Sequence, residues 1–407
     1  MKKIILSIAL LIGITGAYGQ KANVSKAKSK ATSGAFGEAR ELIKQALADP
    51  NTANEAETWY VAGFIEAQHN EDLLKKAVLK QPYNKNEKGE AIIASIPYFL
   101  KADEFAQIPD AKGKVKNKYR KDIVNELKGY YNNEQNLYIY GAELYDDKHY
   151  KEAYHVFKIY LEIPDLPIME GSGLQKDSVF LALQYYAALA ASNAKMPEQA
   201  IEMYKKSISS KYEQLACYQL MSNEYREIKD TVGYVKTLQD GFSTFPKEPW
   251  FLQNLINHYI FSGQETVAVK YLDDAIANEP DIAEYYYVKG LLEEKMNNIE
   301  TAEANFNKSL EIDPNMAGAY AGKGRLIFNK ALILYENANQ IKDNKAYNAE
   351  MEKAENLVQQ SMPLFRKAVE LNDKEVEYLE NLKLVYYRLN MVDEYNETVK
   401  KINALGQ

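Results

Sequence analysis

Residues 283–316 read AEYYYVKGLLEEKMNNIETAEANFNKSLEIDPNM. Counting back from Pro314, Ser309 lies five residues upstream, Phe306 eight, Ala302 twelve and Gly290 twenty-four. Ala302, Phe306 and Ser309 stand at i, i+4 and i+7, which is one stripe of a helix. The small members of the stripe let a second helix approach closely, and the aromatic member fills the gap left between the two. Pro314 forbids continuation of the helix that carries them.

The same arrangement recurs upstream with a fixed step. Pro246, Pro280 and Pro314 stand 34 residues apart. The offsets that locate the stripe before Pro314 give Ala268, Leu272 and Ala275 before Pro280, with Tyr259 and Gly263 at the preceding helix end. Before Pro246 they give Tyr234, Leu238 and Gly241, with Tyr225 in the first helix. A strict 34-residue period marks a solenoid of helix pairs. The pattern resembles the tetratricopeptide repeat family, with Tyr286, Gly290, Ala302, Phe306, Ser309 and Pro314 at the positions where that family places an aromatic, Gly, Ala, an aromatic, a small residue and Pro. Lys289, at a usual leucine position, is the departure. The resemblance implies an all-α, right-handed superhelical solenoid of stacked antiparallel helix pairs.

The frame extends in both directions. One step upstream, Leu181 opens a unit whose second helix carries Ala200, Tyr204 and Ser207, and an earlier unit runs from Glu134 through Gly141, Ala153 and Phe157. Between them Asp165 to Phe180, with Pro167, Gly171 and Gly173, reads as a loop insertion. Ala39, Ile43 and Ala46 form a second-helix stripe near the start, and Trp59 with Gly63 opens the next unit. The reading divides the chain into a signal peptide over 1–19, degenerate or extended repeats over 20–133, regular repeats over 134–316, and an extended repeat with a capping repeat over 317–407. Capping repeats are atypical because one of their faces meets solvent. Two units are stretched and share a signature: Ser95-Ile96-Pro97-Tyr98-Phe99-Leu100-Lys101-Ala102 recurs as Ser361-Met362-Pro363-Leu364-Phe365-Arg366-Lys367-Ala368. Each proline is expected inside a second helix, where it costs about 3 kcal/mol and bends the helix. The signature is read either as duplication followed by lengthening or as a pair of projecting hairpins.

Met1-Lys2-Lys3, the apolar run Ile4 to Ile14 and the small residues Ala17 and Gly19 form a secretory signal, with cleavage expected before Gln20. This places the chain in the periplasm or otherwise outside the cytoplasm. No second long apolar run follows, so the mature chain is not expected to be membrane-integral. The sole cysteine, Cys217, can form no internal disulfide and reads as a small buried hydrophobe. The formal charge of −7 becomes −9 when Lys2 and Lys3 leave, which disfavours nucleic acid as a partner. The basic run Lys112, Lys114, Lys116, Lys118, Arg120 and Lys121 is expected to be a solvated connector, with an anion contact as the other reading.

No constellation of catalytic residues emerges. His149 and His155 are six apart and do not share a helical face, so they make no metal pair. Gly171-Ser172-Gly173 and Gly322-Lys323-Gly324 lack the strand context of a phosphate loop. Paired carboxylates such as Glu293-Glu294 have no cleft to face across. The expectation is a non-enzymatic chain with no catalytic, metal or cofactor residues.

What remains is a binding surface. In the family resembled, certain positions of each first helix face a concave groove. Here they hold Gln219, Asn223 and Arg226, then Gln253, Asn254 and Asn257, then Tyr287, with Arg325 beyond and Tyr138, Tyr145, Tyr185 and Tyr186 upstream. Asn223 and Asn254 match asparagines with which chaperone-type members of the family grip a peptide. The basic residues that clamp a terminal carboxylate in those members are replaced by Gln219, Glu284 and Val288, so that role is not implied. An amide can both donate to and accept from a peptide backbone, which favours an extended ligand. The expected function is a protein- or peptide-binding scaffold of the bacterial cell envelope. The alternative is a carbohydrate-binding scaffold, suggested by 32 Tyr against 13 Phe and 2 Trp, since tyrosine joins an apolar face to a polar tip. The same amides could instead be solvated helix-face residues.

Overall fold

The computed structural model describes residues 21–110, 112–115, 117–132 and 137–406. The signal segment lies outside them, as do Lys116 and Glu134. Residues 21–32 form helix α1, followed by α2 (Phe36–Ala48), α3 (Ala56–Val78), α4 (Lys85–Ala106), α5 (Arg120–Asn132), α6 (Leu137–Asp146) and α7 (Tyr150–Glu162). Then come α8 (Ser178–Asn193), α9 (Pro197–Ser209), α10 (Gln214–Glu227), α11 (Thr231–Thr244), α12 (Pro249–Phe261) and α13 (Glu265–Asn278). The chain ends with α14 (Ala283–Lys295), α15 (Ile299–Ile312), α16 (Ala317–Ala338), α17 (Asn344–Leu371), α18 (Val376–Arg388) and α19 (Val392–Leu405). No strand occurs among the described residues. The chain is an all-α helical-repeat solenoid. Packing divides it into two compact units between Tyr234 and Val235.

Sterics at a few positions explain why the pairs form. The stripe residues Ala302, Phe306 and Ser309 are all fully buried in α15. A Cβ built on Gly290, in α14, would lie 2.6 Å from the Phe306 ring. Glycine is therefore what lets α14 and α15 close on each other. The same lock joins Gly141 to Phe157 at 2.5 Å, Gly63 to Phe99 at 2.6 Å and Gly324 to Phe365 at 2.9 Å. In the pair α12–α13 the aromatic is replaced by Leu272 and Ile256 stands where the glycine would be. Small meets large in one case and two medium side chains meet in the other, so interior density is kept.

Both ends of each pair are fixed by backbone chemistry. α11, α13 and α15 end two residues before Pro246, Pro280 and Pro314, as the ladder predicts. The turn inside each pair has a ladder of its own: Lys195, Lys229, Gly263 and Asn297 all adopt positive φ, between 59° and 68°. The next residue donates its N–H five positions back, as in Met196 to Ala191 (2.9 Å), Asp230 to Tyr225 (2.9 Å), Gln264 to Tyr259 (2.8 Å) and Asn298 to Glu293 (2.8 Å). This satisfies carbonyls that a helix end would otherwise leave open.

The stretched pairs are longer in both helices. α3 and α4 have 23 and 22 residues, α16 and α17 have 22 and 28. Pro97 and Pro363 lie inside α4 and α17 as expected. Ser95 and Ser361, two residues before them, each donate to the carbonyl three residues back, at 2.8 and 2.7 Å. The Gly–Phe lock survives the lengthening, so the extra residues are added between its two halves.

The insertion after α7 is not simply a loop. It forms two short 3-10 turns, Ile163–Asp165 and Pro167–Met169, and Ile168 and Met169 are buried. It is tied to α5, which has no partner helix in the repeat frame. Tyr131 Oη donates to the Gln175 carbonyl (2.8 Å), Arg120 donates to the Pro167 carbonyl (3.3 Å) and pairs with Asp103 (2.8 Å). Of the basic run, Arg120 thus has a structural post, while Lys112, Lys114 and Lys121 are exposed.

Candidate functional site

Of the cavities that open between consecutive first helices, two border residues selected from the sequence, one in each unit. In the first unit, α6 presents Tyr138, Ala142, Tyr145 and Asp146, and α8 presents Ser178, Val179, Ala182, Leu183 and Tyr186. With Phe157 of α7 at its floor they enclose about 460 Å³. The cavity exists because Ala142 and Ala182 are short where the flanking tyrosines are long. Tyr186 remains 44% exposed, and its ring forms the outer wall. Tyr185 packs edge-on against it with centroids 5.8 Å apart, and also lies 6.2 Å from Tyr212. The Tyr145 hydroxyl accepts a hydrogen bond from Asn193 Nδ2 (3.2 Å), and burial raises the pKa of this phenol. Three of the tyrosines selected from the sequence, Tyr138, Tyr145 and Tyr186, are thus brought to one cavity. The alanines and Val179 carried no sequence signal for it.

In the second unit, α12 and α14 enclose about 250 Å³ bordered by Pro249, Leu252, Gln253, Ile256, Asn257 and Ile260 on one side and Glu284, Tyr285 and Val288 on the other, over Leu272 of α13. Leu272 stands at the aromatic position of the repeat, and its smaller side chain leaves this space. Gln253 and Asn257 are exposed and border the cavity. Burial raises the pKa of the Glu284 carboxyl.

The remaining candidates are engaged within the protein. Asn254 Nδ2 donates to the Trp250 carbonyl of its own helix (2.8 Å). Asn223 Oδ1 accepts from Arg226 Nη2 (3.0 Å), an exposed pair. Gln219 is half-buried on α10. Arg325 makes a two-pronged contact with Glu294 (2.8 and 2.7 Å) and a third with Glu377 (2.8 Å). It therefore ties α14, α16 and α18 together along their first-helix side, and its charge is already answered. Tyr287 is half-buried, its ring against Gly318, and burial is the main cause that lifts its pKa to about 12. Cys217 is fully buried, and burial pushes its thiol up to about 11.

A third polar constellation lies between α2 and α3. Arg40 donates to both Glu66 oxygens (2.8 and 2.6 Å) and meets His69 Nδ1 at 2.8 Å, while Phe36 packs on the imidazole at 4.7 Å. Burial first, and Arg40 second, lower the His69 pKa. A neutral ring accepting from Arg40 explains the geometry. Among the described residues no group of His, Cys, Asp or Glu is placed to hold a metal ion, and no helix is long and apolar enough to cross a membrane.

The class defined by this architecture is a solenoid of stacked helix pairs with cavities between first helices. In the locks of Gly on Phe and the two 34-residue ladders its units are similar to tetratricopeptide-type repeats. No protein-family model matches the chain, and no curated protein matches its sequence. Among solved structures it is similar to the C-terminal part of a TPR repeat-containing protein from Cytophaga hutchinsonii, at 15% identity over 66% of this chain and 95% of that one, TM-score 0.42. It is also similar to a TPR repeats protein from Bacteroides fragilis, at 20% identity over 65% and 98%, TM-score 0.32. A third is YrrB, described as a TPR protein with an unusual peptide-binding site, at 16% identity over 50% and 91%, TM-score 0.32. The assignment of the repeat type rests on the packing within this chain.

Proposed function

We propose that the chain is a non-enzymatic scaffold of the bacterial cell envelope that holds an extended segment of a protein partner along its first-helix faces. The observation that carries this reading is the tyrosine-walled cavity between α6 and α8. Its size suits one large apolar side chain, and pockets lined by aromatic groups with few polar ones are the usual anchors of such contacts. Residues at α-helix spacing offer no continuous edge of backbone groups, so affinity has to come from side-chain pockets. The pocket between α12 and α14 gives the second unit an anchor of its own. The basic and apolar start of the sequence, followed by Ala17-Tyr18-Gly19, supports export.

The lining argues against sugar as the principal ligand. A glycan needs several hydrogen-bonding groups beside each stacking ring, and here Asp146 and Ser178 are the polar residues that accompany the tyrosines. The test is to fill the cavity. Random dodecapeptides displayed on phage are selected on the mature protein, and the binders are titrated against Ala182→Phe and Tyr186→Ala variants. Loss of binding in both, with melting temperature unchanged, supports the reading. Undiminished binding by a folded Ala182→Phe protein removes this cavity from the function, and capture of glycans but no peptides on parallel arrays establishes the carbohydrate alternative.

A further inference from the structure

The cavity between α12 and α14 has an apolar wall and a single charge. Among the described residues that border it, Glu284 alone is ionisable in the acid–base range of a carboxylate, and Leu252, Ile256, Ile260, Leu272 and Val288 supply the walls. Glu284 has no ion-pair partner among the described residues. The cations nearest in sequence are already used, Lys289 by Asp273 (2.5 Å) and Lys295 by Glu265 (2.6 Å). An acidic residue in the first turn of a helix normally complements the helix dipole, which would hold its pKa down. Here the shift is upward and its cause is desolvation. Glu284 is exposed at the rim of the apolar cavity, and no cation among the described residues pairs with it.

Resting on the peptide-holding reading above, we infer that this cavity receives a lysine or arginine side chain of the bound segment, its methylene stem against Leu252, Ile256 and Val288 and its charged head at the Glu284 carboxylate. A long cationic side chain is the natural complement to an apolar slot with a carboxylate at its edge, because its stem is apolar and its head is not. A purely apolar occupant would strip the remaining water from an unpaired carboxylate, and an acidic one would add repulsion. Tyr285 borders the same space, and an aromatic ring there adds attraction for a cation. Gln253 and Asn257 supply side-chain carbonyls that accept from an ammonium or guanidinium. The net charge of the chain, −7, draws basic segments in the same direction.

The experiment uses the dodecapeptides selected on the mature protein. Binders are expected to be enriched in Lys or Arg. Replacing the anchoring lysine by norleucine, which keeps the stem and removes the charge, is expected to weaken binding by about tenfold to a hundredfold. Glu284→Gln is expected to bring the lysine peptide down to the affinity of the norleucine peptide and to leave the latter unchanged, and Glu284→Lys to favour acidic peptides. Binders without a basic preference, or discrimination between lysine and norleucine that survives Glu284→Gln, overturn the inference and leave the peptide-holding reading standing. The norleucine arm needs no protein variant, so a misfolded mutant cannot hide the result. If the wild-type protein selects no peptide at all, the reading on which the inference rests falls, and the inference with it.

Discussion

Gly290→Ala tests the lock between the helices of a pair. In an exposed helix this change would stabilise by about 0.5–1 kcal/mol, since alanine has less conformational freedom to lose. Here the new methyl would sit 2.6 Å from the Phe306 ring. The ring cannot retreat: it is fully buried, and a Cβ on Gly322, in α16, would lie 2.5 Å from it on another side. Forcing a methylene into such a site costs about 1–3 kcal/mol, so the net effect should be destabilisation by roughly 1 kcal/mol. Shortening the ring removes the conflict. In a Phe306→Leu background, which copies the Leu272 arrangement of the preceding pair, Gly290→Ala should be neutral or stabilising. The coupling energy of the cycle then equals the steric term, about 1–3 kcal/mol. Urea unfolding followed by the fluorescence of Trp250, in the same unit, gives each midpoint. Additive effects, with coupling below about 0.5 kcal/mol, would refute the claim that Gly290 is required by the ring rather than by its own backbone.

Three further outcomes follow from particular contacts. Lys229 and Gly263 occupy the same left-handed turn position; Lys229→Gly should stabilise the protein and Gly263→Ala destabilise it, each by about 1 kcal/mol, and equal signs in urea titrations would contradict this. His69 has a lowered pKa in the folded protein, so acidification favours the unfolded chain: stability present above the ordinary imidazole range should be lost as pH falls through about 6.5 toward the folded value. Glu66, Glu87, Asp72 and Arg40 surround the ring and set the background slope; His69→Gln should flatten the pH dependence of the unfolding midpoint between about pH 7 and 5, and an unchanged slope would count against the assignment. Cys217, with its thiol near 11, should have about one molecule in a thousand ionised at pH 8; a thiol reagent should therefore label it only after unfolding, and fast labelling of native protein would show the site to be open.

The repeat was legible because it is written in residue size. Pro246, Pro280 and Pro314 stop helices where the ladder places them, and the pairing of Gly290 with Phe306 encodes a close approach of two helices in the sequence itself. The turns inside the pairs were harder to see. Lys195 and Lys229 take a left-handed conformation for which lysine gives no sign, and Gly263 and Asn297 are the members of that ladder that show a usual residue. Lengthening of α3 and α16 also left no mark, since a longer helix needs only more helix-forming residues and no signal at its former end. α5 breaks the frame because its partners, Asp103 and the 163–177 insertion, lie far away in sequence. For the site, Tyr138, Tyr145 and Tyr186 border one cavity and Gln253 and Asn257 another, groupings that position on a first helix did not specify. Such a position could not show that Asn254 turns onto the Trp250 carbonyl or that Arg325 is held by Glu294 and Glu377, because those outcomes depend on neighbours 4 to 52 residues away. Nor could it show the cavities, which arise from side chains being small: Ala142 and Ala182 in one, Leu272 in the other.

Photo-crosslinking from the ligand side addresses the central claim most directly. A peptide selected on the protein is resynthesised with benzoylphenylalanine at its apolar anchor, irradiated in complex, and the attachment sites are read by mass spectrometry. The account predicts adducts on α6 and α8, at Tyr138, Ala142, Ala182 or Tyr186. Adducts confined to α9, or to residues of α7 other than Phe157, would contradict it.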